Sequence, residues 1–506
     1  MIRKFQKECE SSSEYILPDY LGDVKKLMMT SARAVPSGSF DGDEQTECAG
    51  IVAYDVVYLD SENKLSAASF TSDYDFSFPK NGESYLDAFV SSGVGNFSLR
   101  LTGPRRIIAK SYVVSDVFLM ESFEPTVSGS AFSESDALEK ITKTLSVGSS
   151  VKAENLEREY AEEIASLEGV PADEIEVITS SAYVRISEST PVDGGVNIKG
   201  ELIVTAIIRT PDTSVFAIRR EIPFDETVSI VGGGEDMSAI GEASVTSLNI
   251  GISETEGCSE LVANAIMDFS ALAFYNENVE ITKDAYLKTK NTKEEYKNLD
   301  FRTHLSAETK SGSISLKMPL LELDTPNLKE ILALNQDFRN VGLENDGKST
   351  RFVGEAAFSG VACEISEDGD TSISNLKFTA PINVDVNISC QFPEKHDFFA
   401  KISPAGCDWE IDGENLCVKV YYTYSYSLSE TLHESCLSSC EIVGDELIEK
   451  SLSKVSVYYP DPDESLFEIA KKFHTGVKDI AEDNAIGEPC ALGIPVKSGY
   501  RKLIIR

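Results

Sequence analysis

Leu416-Cys-Val-Lys-Val-Tyr-Tyr-Thr-Tyr-Ser-Tyr-Ser-Leu428 is the stretch on which the fold turns. Leu416, Val418, Val420, Tyr422, Tyr424, Tyr426 and Leu428 share one side of a two-residue period, and Cys417, Lys419, Thr423, Ser425 and Ser427 fall on the other. That period, in β-branched and aromatic residues, specifies a strand with one buried face and one wet face. Comparable long runs extend from Ile107 to Leu119 and from Leu261 to Phe274.

Upstream of each long run lies a glycine that opens an apolar segment: Gly50-Ile-Val-Ala-Tyr-Asp-Val-Val-Tyr-Leu59, Gly200-Glu-Leu-Ile-Val-Thr-Ala-Ile-Ile208 and Gly354-Glu-Ala-Ala-Phe-Ser-Gly-Val-Ala362. A further strand signal follows near Asp75-Phe76, Pro223-Phe224 and Pro381-Ile382, and the last continues through Val384, Val386 and Ile388 with the same alternation. The chain therefore reads as mainly β, with three tandem β-rich domains over 1–130, 131–290 and 291–448 and a small module over 453–506. Each large domain is expected to be a sandwich or a curled sheet. Residues 126–174, where Ala153 to Leu167 has helical spacing, and residues 284–312 read as connectors or peripheral helices with little core of their own.

Composition narrows the function. Of 506 residues, 84 are acidic and 46 basic, a formal charge of −38. Clustered Lys and Arg are what a nucleic-acid partner requires, so this charge argues against one, and against an anionic membrane surface. No run approaches the roughly 18 apolar residues of a spanning helix. The N-terminus turns polar after Met1-Ile-Arg-Lys-Phe5, which leads us to expect a cytoplasmic protein whose ten cysteines are free thiols. Residues 451–506 balance their charges, so the acidity lies in the body.

The C-terminal module has its own pattern. Val455-Ser-Val-Tyr-Tyr459 reads as a strand, and Ser465-Leu-Phe-Glu468 as a capping box. Leu466, Ile469, Ala470 and Phe473 then make one helical stripe, which His474-Thr-Gly476 ends. Val477, Ile480 and Ala481 mark a second helix closing near Asn484, and Leu503-Ile-Ile505 a last strand. This is a βααβ order.

Residues 465–473, Val477-Lys-Asp-Ile480, Asn484 and Lys502-Leu-Ile-Ile505 resemble a LysM module. The family usually carries Gly-Asp-Thr-Leu where this chain has Asp463-Glu-Ser-Leu466. The resemblance implies binding of N-acetylglucosamine-containing glycans or of a protein partner through two loops. It maps those loops to Pro462, Asp463, Glu464, Ser465, Leu466 and Phe467 and to Asn484, Ala485 and Ile486. Phe467, off the apolar stripe, is expected to be partly exposed and to serve as a partner-binding anchor.

Glu14-Tyr-Ile-Leu-Pro-Asp-Tyr-Leu-Gly-Asp-Val-Lys-Lys-Leu27, with Ala32-Arg-Ala-Val35 and the Gly50 strand, resembles the opening of a SPOCS domain, and Asp324 to Leu332 echoes it. Several SPOCS domains with one C-terminal LysM is the arrangement of clostridial spore coat morphogenetic proteins of the SipL type, related to the SpoVID type of bacilli. The resemblance is strongest over 14–59 and 465–505 and weakest in the middle. It implies a non-enzymatic scaffold in the mother-cell cytoplasm, recruited to the forespore surface, with the coat basement-layer ATPase as partner. A glycan- or peptidoglycan-binding protein acting through the LysM is the alternative.

Enzymatic chemistry has little to stand on in the sequence. The four histidines, His304, His396, His433 and His474, accompany no nucleophile motif, and we expect no catalytic residue. His433-x-x-Cys436-x-x-x-Cys440, with Cys407 and Cys417, offers only one close pair of ligand spacings, so neither a metal nor a cofactor is expected. Gly232-Gly-Gly234 lacks the Lys-Ser/Thr of a phosphate loop and reads as a hairpin turn. Asp461, Asp463 and Glu464 read as complements to a helix dipole rather than paired catalytic carboxylates.

Overall fold

The computed structural model describes residues 2–486 and 502–506, apart from 81–84, 122–126, 135–136, 213, 256, 324, 326, 346–348, 366–370, 387–395, 445–446, 449–454 and 462. It is mainly β, and one two-sheet topology occurs three times. In the first unit β1 (Ile2–Ile16), β6 (Arg106–Glu121) and β5 (Tyr85–Gly103) form one sheet in the order β1-β6-β5. β2 (Val24–Asp41), β3 (Gln45–Asp60) and β4 (Leu65–Pro79) form the other. The third unit repeats this with β14 (Thr292–Pro319), β19 (Asn415–Ile442) and β18 (His396–Asp412) in one sheet. Its second sheet is β15 (Leu328–Asn345), β16 (Thr350–Ile365) and β17 (Thr371–Val386).

The middle unit splits its first strand. β7 (Leu138–Lys152) and β8 (Leu156–Glu168) lie along one edge of β13 (Cys258–Leu287), whose other edge carries β12 (Ser238–Thr255). β9 (Glu176–Val192), β10 (Gly195–Arg209) and β11 (Val215–Ser229) complete it. A single bridge, Lys310 to Glu188, joins β14 to β9. Each pair of sheets closes over its own core: Val52, Tyr54 and Val117 in the first, Leu202, Leu261 and Phe269 in the second, Phe358, Leu416 and Val418 in the third.

Gly50, Gly200 and Gly354 occupy the same place in β3, β10 and β16, beside or near a bulge on the preceding strand. A Cβ at Gly50 would stand 2.5 Å from the Tyr74 ring, and one at Gly200 2.6 Å from that of Phe224. At Gly354 the Val341 Cα of the bulged strand would lie 2.8 Å away instead, so each position leaves no room for a side chain.

Three readings are corrected. Ala153 to Leu167 is not helical: it supplies β8, paired with Phe269 back to Cys258. Leu156, Tyr160 and Ile164 recur every four residues, and an even step also keeps a strand on one face, so the spacing was ambiguous. Residues 284–312 are no connector either. They end β13 and form three quarters of β14, which pairs with β19 out to Ile442, well past Leu428. Finally, Gly232-Gly-Gly234 joins β11 to β12, strands of different sheets, and is a sheet-to-sheet crossover rather than a hairpin.

The last segment has β20 (Ser456–Tyr458), α1 (Leu466–Lys472), α2 (Val477–Asp483) and β21 (Leu503–Ile505), with β20 antiparallel to β21. Leu466, Ile469, Ala470, Val477, Ile480, Leu503 and Ile505 form its core, joined by Tyr286 and Ile141 from the body.

Candidate functional site

Ser465 caps α1: its hydroxyl accepts from the Glu468 N–H at 3.2 Å, and the Glu468 carboxylate accepts from the Ser465 N–H at 2.7 Å. The two satisfied donors fix the chain entering the helix. Glu464 is spent inside the module, its carboxylate accepting from the Tyr458 hydroxyl at 2.8 Å. Leu466 is buried and Asp463 exposed, while Pro462 lies outside the described residues. In the second loop the Asn484 amide donates to the carbonyls of Ile480 and Ile504 and accepts from the Ile504 N–H, tying α2 to β21. Ala485 is exposed at a φ of 51°, and Ile486 is half-buried.

Phe467 requires the largest correction among these residues. It is only 3% exposed, because the body covers it: Tyr286 at the end of β13 meets its ring edge-on at 5.2 Å. The Tyr286 hydroxyl donates to the Thr475 carbonyl at 2.7 Å. Burial pushes the Tyr286 phenol upward, so it remains a donor. Beside it the Lys471 ammonium sits between Asp284 at 2.8 Å and Glu294 at 3.2 Å, with the Tyr296 hydroxyl also donating to Asp284. The His474 ring, at a φ of 47°, lies 3.2 Å from the Leu287 carbonyl. The module thus docks through the start and end of α1 and leaves Asp463 and Ala485 facing water.

A second place draws side chains together: the junction of the three units. Met28 and Val57 of the first, Ile207 of the second and Leu332 and Val361 of the third share one buried cluster. Phe89 and Phe118, Leu272 and Phe274, and Ala307 and Phe399 make another. Between them three hydroxyls each grip an exposed strand edge on a different unit. Ser359 donates to the Thr30 carbonyl at 3.0 Å and accepts from its N–H at 3.5 Å. Tyr183 does the same to Gln336, at 3.2 and 3.0 Å. Thr309 does so to Gly241, at 3.1 Å for both bonds. Each hydroxyl supplies the acceptor and donor that a paired strand would have supplied. Isolated hydroxyls in polar stretches carry no such signal in sequence, and these were missed.

A channel of about 1910 Å³ opens at this junction, lined by all three units. Arg33 reaches across it, donating to the Val245 carbonyl at 2.8 Å. At its rim Asp337 is pushed up to about 6, chiefly by burial against the pull of Arg339. His304, stacked on Phe274 and bonded to Ser238 at 2.5 Å, is pushed down to about 4 by burial and by Lys4.

The remaining candidates stay apart. His433 pairs with Asp300 at 2.6 Å on the surface, while Cys436 and Cys440 are buried in separate clusters. Burial raises both thiols. Cys407 is buried elsewhere and pushed up to about 12. Among the described residues no three His, Cys, Asp or Glu side chains converge as a metal site, the described cysteines are free, and no helix is long and apolar enough to cross a membrane.

Comparison with known proteins gives a match to a family model. A family model described as SipL, SPOCS domain, matches residues 174–253. These residues run from just before β9 to the end of β12, in the unit where the sequence motifs looked weakest; 14–59 and 465–505 lie outside the match. No curated protein and no solved structure matches the chain. Over these four strands the chain is similar to the SPOCS domain of SipL.

Proposed function

We propose that this chain is a non-enzymatic scaffold of the spore coat, with three SPOCS-like domains and a C-terminal LysM-like adaptor. In this reading it works in the mother-cell cytoplasm and links the coat basement-layer ATPase to the forespore surface. The observation that carries it is the repetition: the strands matched by the SPOCS model belong to a topology that occurs twice more in the chain. Three units and an adaptor on one polypeptide raise effective concentration, so that weak contacts to a polymerising layer add into firm localisation. The acidic body offers a surface for a basic face on that layer.

The test is a fluorescent fusion imaged in sporulating cells, with and without residues 451–506. The full chain should form a shell around the forespore, and the truncated chain should do so weakly. Diffuse signal from the full chain overturns the proposal. Retention of residues 451–506 on purified murein would move the module to the glycan-binding reading.

A further inference from the structure

We propose that two copies of this chain pair by exchanging their C-terminal modules, each module taking the seat on the other copy's body. The interface is the one already described, made between copies instead of within one. It sets Phe467 against Tyr286, the Thr475 carbonyl against the Tyr286 hydroxyl, and Lys471 between Asp284 and Glu294. None of these contacts involves the stretch that joins body to module, so a module carried by a second chain makes the same ones.

That joining stretch points to the second copy. Of seventeen large apolar side chains exposed among the described residues, five fall within 443–459: Val443, Leu447, Val455, Val457 and Tyr459. Val455, Val457 and Tyr459 alternate along β20 and its ends at 61%, 54% and 70% exposure, while Tyr458 turns into the module's core. Val457 pairs with Ile504, itself half-buried, so the outer face of this small sheet is apolar. A lone exposed apolar residue needs no cause, but five in so short a stretch mark an interface. They sit where an exchange brings two copies of one segment together. In a two-fold pair the connecting segments pass beside the axis, and each residue meets its own counterpart. The seat and this apolar face are then one continuous contact between the copies.

Reach decides the form of the pair. The Ile448 N–H still bonds the body, donating to the Thr289 carbonyl at 2.8 Å. Val455 lies seven residues on, at most about 25 Å of extended chain. So short a link keeps each module beside its own body, and the exchange closes reciprocally into a dimer instead of running on into a filament. Tethering also gives a module an effective concentration in the millimolar range at its own seat. Dilute chains therefore keep their modules, and crowded chains exchange them. The pairing needs only the chain itself and stands apart from the scaffold reading.

The experiment incubates equal amounts of full chain grown on ordinary and on heavy nitrogen, then joins Lys471 to Asp284 or Glu294 with a carbodiimide. At about 1 μM the linked peptides should carry matched isotopes, and at about 1 mM roughly half should be mixed. Light scattering at the higher concentration should report twice the 55.2 kDa of one chain. Val457→Asp should weaken the pairing about tenfold or more and leave the matched link at low concentration intact. Val231→Asp, exposed on the crossover from β11 to β12, should leave the pairing unchanged. Melting curves establish that both variants fold. Matched isotopes alone at the higher concentration, no link at the seat at either concentration, or mixed peptides that Val457→Asp leaves untouched would each overturn the proposal.

Discussion

The junction of the three units and the seat of the C-terminal module are built on different scales. At the junction, two apolar clusters draw residues from all three units, and three hydroxyls lock strand edges between them. At the seat, one aromatic contact, one buried phenol and one lysine between two carboxylates carry the attachment. Apolar burial scales with area, while a part-exposed ion pair adds little. The body should therefore behave as one block and the module as a separable piece.

The largest effect tests the block. Phe118 touches Phe89, Phe274 and Phe399, rings from all three units, with centroids 4.7–6.5 Å away. Phe118→Ala should lower the free energy of unfolding by about 3–5 kcal/mol in a denaturant titration. A loss below about 1 kcal/mol would mean that the units stand independently.

A smaller effect tests the seat. Tyr286→Ala removes both the ring over Phe467 and the bond to Thr475, a loss of about 3 kcal/mol in docking. Limited proteolysis between residues 443 and 455 should speed up about a hundredfold in the variant, with the body's main unfolding transition in place. If that transition shifts together with the cleavage rate, the module is part of the block and the contrast fails.

The smallest effect sharpens the junction by pH. His304 is neutral in the fold, with its pKa down at about 4 against an ordinary 6.5. Its contribution is whole above pH 6.5 and is lost as the pH falls toward 4. Asp337 runs the other way: raised to about 6 from 3.8, its contribution is whole below pH 3.8 and lost as the pH rises through 6. Each can add at most about 1.4 kcal/mol per pH unit. His304→Asn should flatten the fall in stability between pH 6.5 and 4, and Asp337→Asn should steepen it. Equal slopes for both variants and the parent would remove the two groups from the account.

Much of the secondary structure was legible because one buried face imposes its period on the sequence. β17 and the Leu416 to Val420 start of β19 follow their alternation, and the Ser465 capping box sits where its spacing put it. Ser425 and Ser427, expected on the wet face, are instead buried, and β16 is buried in runs on both faces. β8 was misread because helix and strand share the four-residue step when a strand carries one apolar residue in four. The second half of β19 was missed because Leu437 and Cys440 are buried against the neighbouring unit, not against the wet-and-dry faces of a lone sandwich.

The same distinction governs the site. Which loops surround α1 could be read locally, but the fate of Phe467 could not, since the residue that hides it lies some 180 positions earlier. Sequence by itself determined the cleanly alternating strands and the capped helix, because these follow from periods and short-range hydrogen bonds. Only the tertiary structure decided which edges meet, which hydroxyls close them and which aromatic the module surrenders to the body. Those contacts join residues far apart in the chain, and no local pattern encodes them.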